Sequence, residues 1–181
     1  MRVITGTARG RRLVSPKGYN TRPTTDKMKE TAFNTIQFEI EGARMLDLYA
    51  GSGQMGIEAL SRGASSCTFV EKGGEAYRVI LENLTLTGFS EQSKVTRMDA
   101  LTFLSTSHET YDLIYADPPF DMEVMDKLLA AAEPRLSAGG IMLCESRENE
   151  VLPEQVESLK KYRNYVTGQA QLTLYRKGEK A

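Results

Sequence analysis

Residues 111–120 read YDLIYADPPF, an apolar run that ends in a carboxylate, two prolines and an aromatic ring. Leu113, Ile114, Tyr115 and Ala116 have the unbroken hydrophobic texture of a strand buried on both faces. Two successive prolines neither continue a sheet nor enter a helix freely, so the chain must leave this strand in a rigid extended turn. Asp117, the Pro118 carbonyl and the Phe120 ring, with Pro119 between them, are thereby fixed at the C-terminal end of a strand, where open α/β sheets bind ligands. The arrangement suits a planar group with an exocyclic amine: Asp117 and the Pro118 carbonyl accept its two hydrogens and Phe120 covers its face. An ordinary Asp-Pro turn is the plain alternative.

A second constellation lies upstream. MLDLYA runs into Gly51-Ser52-Gly53-Gln54-Met55-Gly56, and Glu71-Lys72 stands at the end of the next apolar run. The glycines match a dinucleotide-binding loop. Asp47 opposes that reading, because a carboxylate there would face the phosphates of a dinucleotide and repel them. S-adenosylmethionine has the right sign, since its ammonium and sulfonium are cationic. Asp47 and the loop Ala50, Gly51, Ser52 and Gly53 would hold its amino-acid end, and Glu71 its ribose hydroxyls. Asp99 and Ala100 would meet the adenine through a carboxylate and a backbone N–H. DALTFL also reads as a capped helix, which would occupy Asp99 differently.

These residues need a scaffold that puts strand ends side by side. After Glu41-Gly42 the chain alternates: strands are predicted at 44–49, 66–71, 93–97, 111–116 and 138–144, and helices at 54–62, 73–87, 99–106 and 122–134. Met122, Met125, Leu129 and Ala132 form the core stripe of the last helix. Residues 162–166 and 172–175 read as a half-exposed antiparallel hairpin. Ahead of this domain (42–181), residues 1–41 read as a basic appendage: two short strands within 2–15, then a helix capped by Thr24 or Thr25 and running to about Ile40, with Met28, Ala32, Ile36 and Ile40 inward. The fold class is α/β, a doubly wound parallel sheet with a terminal antiparallel hairpin.

The 181 residues are 40% hydrophobic and 26% charged, the composition of one soluble domain. The longest apolar run, 128–132, is far too short to span a bilayer, and no apolar signal region follows Met1 and Arg2, so a cytoplasmic protein is expected. Cys67 and Cys144 sit in apolar contexts as reduced core residues, and His108 lacks metal-ligating neighbours. The net charge of −1 conceals an asymmetry: residues 1–29 hold eight basic residues against Asp26, or +7, leaving −8 for the rest. Arg9, Arg11 and Arg12 fall near the predicted hairpin tip. This segregation points to a polyanionic partner, nucleic acid.

RVITGTARGRRLVSP, TRPTTDKMKETAFNTI, LDLYAGSGQMGIEALSRGA and YDLIYADPPF together resemble the bacterial methyltransferases that modify the exocyclic N2 of a guanine in 16S ribosomal RNA. The resemblance covers about residues 1–145. It implies a seven-stranded class I S-adenosylmethionine-dependent methyltransferase fold, the small ribosomal subunit as substrate and a monomer that needs neither metal nor membrane. It further implies that Arg22, Pro23 and Thr24 lie over the cofactor and substrate edge, and that Asp117, Pro118 and Phe120 hold the guanine. Lys27 and Lys29 stand where that family usually has arginine, keeping the charge and losing the planar fork; Gln54-Met55 replaces smaller residues. Three other readings share the same residues: a DNA adenine-N6 methyltransferase, a protein-glutamine methyltransferase and a non-catalytic RNA-binding module.

Overall fold

The computed structural model describes residues 1–17 and 24–178. Its centre is a parallel pair, β1 (Arg44–Leu48) and β4 (Tyr111–Ala116), in register Met45 to Leu113 through Leu48 to Ala116. Outward from β1 lie β2 (Ser66–Val70) and β3 (Ser93–Thr96); outward from β4 lie β5 (Leu136–Arg147), β8 (Ala170–Lys177), β7 (Leu159–Thr167) and β6 (Gln155–Val156). The first five strands are parallel, and β8, β7 and β6 add on antiparallel. Strand order therefore reverses between β1 and β4, which leaves a crevice at their C-terminal ends.

The apolar run of β4 divides as a doubly covered strand must. Leu113 and Tyr115 enter one hydrophobic cluster, Ile114 and Ala116 the other. The first cluster is covered by α1 (Asp26–Thr35), α2 (Gln54–Ser61) and α3 (Gly74–Thr87), the second by α4 (Ala100–Thr106) and α5 (Met125–Ala132). Cys67 and Cys144 are buried free thiols, His108 is exposed, and no helix among the described residues is long and apolar enough to cross a membrane.

Several boundaries differ from the sequence reading for local reasons. The sheet has eight strands rather than seven, because Glu157 adopts a left-handed conformation (φ 50°) and folds the two-residue β6 back on β7. The cap of α1 is Thr25, whose hydroxyl accepts the Met28 N–H at 3.2 Å, and the helix stops at Thr35 instead of near Ile40. Met28, Ala32, Ile36 and Ile40 are nonetheless all buried. Helix α5 starts at Met125, since Glu123 turns left-handed (φ 45°), so Met122 lies outside the stripe and is 43% exposed.

The two N-terminal strands reduce to a single bridge between Arg2 and Arg12. The segment instead follows α2. The Glu58 carboxylate accepts N–H groups of Ile4 and Thr5 at 2.9 and 3.0 Å, and Ser61 Oγ accepts that of Ala8 at 2.9 Å. Gly6 (φ +89°) passes so close that a Cβ would lie 1.7 Å from the Ser61 carbonyl oxygen. All eight residues of α2 are buried between sheet and segment.

Candidate active site

Asp47, Glu71 and Asp117 stand at or just past the ends of β1, β2 and β4, which gathers them at the crevice. Asp47, 1% exposed, is paired in register with Tyr115. Its Oδ2 accepts the Gly56 N–H at 2.9 Å, which ties β1 to the start of α2. Burial foremost, then the charge of Glu71, pushes its carboxyl up to about 8 against the opposing pull of the Gly56 N–H. Glu71 accepts the N–H of Gly51 at 2.8 Å through one oxygen and that of Gly73 at 2.7 Å through the other. One carboxylate thus braces two loops. Between them, Gly51 and Gly53 have φ of +57° and +79°, the left-handed region glycine enters without strain. Asn83 of α3 donates to the Ser52 carbonyl at 2.9 Å and clamps the loop from behind.

Asp117 follows β4 directly and is half-buried, and its carboxyl accepts no side-chain or backbone hydrogen bond among the described residues. Its carboxyl is held well above the ordinary carboxylate range, first by burial, then by the charges of Glu145 and Asp47. Pro118 is buried, Pro119 exposed, and Phe120 is 38% exposed with the Arg147 guanidinium 5.6 Å from its ring centroid. One ring face thus carries a cation.

The structure brings together Asp47, Ala50, Gly51, Ser52, Gly53, Glu71, Asp99, Ala100 and Asp117 through Phe120 at neighbouring strand ends, and Thr24 joins them. The Thr24 hydroxyl lies 3.2 Å from that of Tyr115 and donates to Glu145 at 3.1 Å. Asp99 caps α4, one oxygen accepting the Thr102 N–H at 3.1 Å, so the capping alternative holds for that oxygen. Lys72 is exposed beside the loop. Arg9, Arg11 and Arg12 are exposed on the N-terminal segment. Arg22 and Pro23 lie outside the described residues.

Lys29 corrects the view of the basic arm. Its side chain is fully buried, with Nζ donating to the Arg2 carbonyl at 2.7 Å and to Gln54 Oε1 at 3.3 Å, 3.9 Å from Glu58. Burial lowers its pKa while Glu58 and Asp26 act to raise it. It cross-links the segment to α2 and meets no solvent. The sequence reading also gave no role to Glu145, Gln54 or the Tyr115 hydroxyl. The signal for Glu145 was present: IMLCE ends an apolar run in an acid, as MLD and TFVE do.

Residues 1–176 match the protein family described as Conserved hypothetical protein 95. The chain is 32% identical over 179 residues to Ribosomal RNA small subunit methyltransferase D of Escherichia coli K12, covering 98% of this chain and 90% of that one. It belongs to the methyltransferase D family. Another similar protein is YlbH of Bacillus subtilis 168, 38% identical over 182 residues, 98% of this chain and 99% of that one. A solved structure of Escherichia coli yhhF superposes with a TM-score of 0.87 at 31% identity over 99% of both chains. The methyltransferase D scaffold is thus the α/β methyltransferase fold, with its acids at the switch point.

Proposed function

We propose that this protein transfers a methyl group from S-adenosylmethionine to the exocyclic N2 of a guanine in 16S ribosomal RNA of the small subunit. The observation that carries the reading is the juxtaposition of two unlike demands at one crevice. On the β1 and β2 side, buried Asp47 crowds Glu71 and favours a cationic ligand. On the β4 side, a carboxylate, a proline carbonyl and a half-exposed ring favour a planar amine.

The residues suit this cofactor. Asp47 holds a proton at neutral pH that a neighbouring ammonium would displace, and the space beside Gly51 is open, with only a backbone oxygen 4.0 Å from where a Cβ would stand. Glu71, whose oxygens organise Gly51 and Gly73, would take the ribose hydroxyls as a carboxylate able to accept several hydrogen bonds at once. When bound, the cofactor supplies an electrophilic methyl group.

The chain's own work concerns the acceptor. The N2 lone pair of guanine is delocalised into the ring. Hydrogen bonds from its two N–H groups to Asp117 and the Pro118 carbonyl favour a more pyramidal nitrogen and aim the lone pair out of the plane. Orientation of this kind supplies much of the rate. Asp117 stabilises the positive charge that develops on N2 and takes the departing proton. The base must leave its stack, and Phe120 replaces the lost stacking partner. Arg9, Arg11 and Arg12, together with Arg22, Pro23 and Thr24, belong to the RNA side.

Labelled methyl transfer to small subunits from cells lacking this activity, followed by nucleoside analysis, tests the reading. N2-methylguanosine is expected with the parent and none with Asp117→Asn, which should still bind S-adenosylmethionine. Label in adenine, in DNA or in protein glutamine, or parental activity in Asp117→Asn, would overturn it.

A further inference from the structure

At the C-terminal end of β5 stands a buried carboxylate that the mechanism above leaves unused. Glu145 is 7% exposed. It follows Cys144, which pairs in register with Ala116, so it lies level with Asp117 on the neighbouring parallel strand. Adjacent strands run about 4.8 Å apart and their level positions project to the same face. Asp117 follows Ala116 directly, so the two acids leave neighbouring strand ends side by side, and Glu145 reaches the hydroxyl of Tyr115, two residues before Asp117.

Glu145 is also held. Its Oε2 accepts the Tyr115 hydroxyl at 2.5 Å and the Thr24 hydroxyl at 3.1 Å. Burial raises its pKa above the usual carboxylate range, while these two donors pull the other way and favour the ionised form. The groups around the pair are Asp47 of β1, Tyr115 of β4, Thr24 ahead of α1 and Gln54 of α2, whose amide donates to the Thr24 carbonyl at 3.3 Å. Among the described residues, no lysine or arginine forms an ion pair with either carboxylate. Lys29, beyond Gln54, is engaged with Glu58. Two like charges this close share a proton and titrate as a pair.

We infer that Glu145 is a positioning residue for proton removal: held by Tyr115 and Thr24, it keeps the neighbouring Asp117 basic enough to take the proton that methyl transfer releases. The inference rests on the proposed reaction. In that reaction N2 gains a methyl and loses one proton, its N–H bonding pair staying on nitrogen. The cofactor's positive charge disappears with the methyl, and the proton neutralises the carboxylate pair. A base works best when its pKa lies near the working pH, and an isolated Asp sits well below it.

Glu145→Gln keeps the shape and the hydrogen bonds but removes the charge. In ligand-free protein, the infrared carbonyl band of protonated Asp117, assigned by its loss in Asp117→Asn, should titrate roughly one pH unit lower in the variant. In single-turnover transfer to unmodified small subunits, the acidic limb should move down with it and the plateau rate should fall severalfold, with S-adenosylmethionine affinity unchanged. Tyr115→Phe, which lets Glu145 keep its own proton and repel Asp117 less, should move the limb the same way by a smaller amount; it decides the matter if the Gln variant does not fold. Limbs and bands that stay in place or move upward overturn the inference while leaving methyl transfer intact. Parental activity in Asp117→Asn overturns the reaction itself, a separate outcome.

Discussion

A single aspartate should set much of the pH response of the ligand-free protein. Asp47 titrates at about 8 in the folded chain and near 3.9 when unfolded. Between those values the folded chain holds a proton that the unfolded chain has lost. The stabilisation this gives is complete below pH 4 and is lost as pH rises through 8. Asp47→Asn keeps a neutral acceptor for the Gly56 N–H, so its melting temperature should change less between pH 5.5 and 8 than the parent's, a difference on the order of a few kcal/mol in stability. Parallel melting curves would count against the buried proton. By the same logic, cofactor binding at pH 7 should release a proton, seen by calorimetry in buffers of different ionisation enthalpy. Glu71→Ala should weaken S-adenosylmethionine binding by about 1.5–3 kcal/mol; an unchanged affinity would remove Glu71 from the site. At this scale the sequence was informative where chemistry and punctuation coincide. Asp47 precedes glycines and Asp117 precedes prolines, so their strand ends are marked. Glu145 leads into Ser146 and Arg147 with no such mark, and its partner Tyr115 reads as core. Lys29 was misread because burial of a lysine depends on a carboxylate 29 residues away.

Between elements, the N-terminal segment and α2 hold one another through groups that neither could bury alone. Glu58 is fully buried because it meets Lys29, Arg62 and two backbone N–H groups. Removing one partner from such a network leaves the others unsatisfied. Gly6→Ala tests the docking from the other side. The new Cβ meets the Ser61 carbonyl, and an L side chain resists φ +89° by about 1–2 kcal/mol. Hydrogen exchange at Val3, Ile4, Thr5 and Ala8 should accelerate by tenfold or more, while β1 and β4 stay protected; unchanged exchange would mean the segment is held elsewhere. The central parallel strands were legible because their mostly apolar runs, bounded by glycine or proline, allow little else. The segment was not, since VITG and RLVS look like paired strands, and only the tertiary contact with α2 replaces that pairing by turns. Likewise nothing in PEQVESLKK announces β6, which exists because Glu157 turns the chain back onto β7.

Over the whole molecule, charge is divided by surface. With Lys29 sequestered and Arg2 paired to Asp26, the outward basic character of residues 1–29 rests, among the described residues, on Arg9, Arg11, Arg12, Lys17 and Lys27, and the three arginines stand closest together in the chain. If they grip phosphate, RNA affinity falls with salt by a log–log slope of about 0.7 per single-stranded phosphate contacted. Replacing all three by Ala should flatten that slope and weaken subunit binding, while S-adenosylmethionine affinity stays at the parental value. Filter binding at several salt concentrations checks this, and superimposable curves for parent and variant would sink the RNA role of the arm.

The anchoring of residues 4–14 has a further consequence, in time. Thr5 needs Glu58 and Val14 needs Asn83, 53 and 69 residues further along the chain. At synthesis rates of about 5–20 residues per second, the segment waits several seconds for its partners to be made. During that interval Val3, Ala8 and Leu13, all buried at the end, have no cover. The segment also has only one bridge of its own and is held by side chains of α2, so α2 must be seated on the sheet before residues 4–8 can be fixed. Pulse-labelling of refolding protein should therefore find the amides of Val3 and Ala8 acquiring protection after those of β1 and β4. The arm proposed to grip RNA would then set after the central strands.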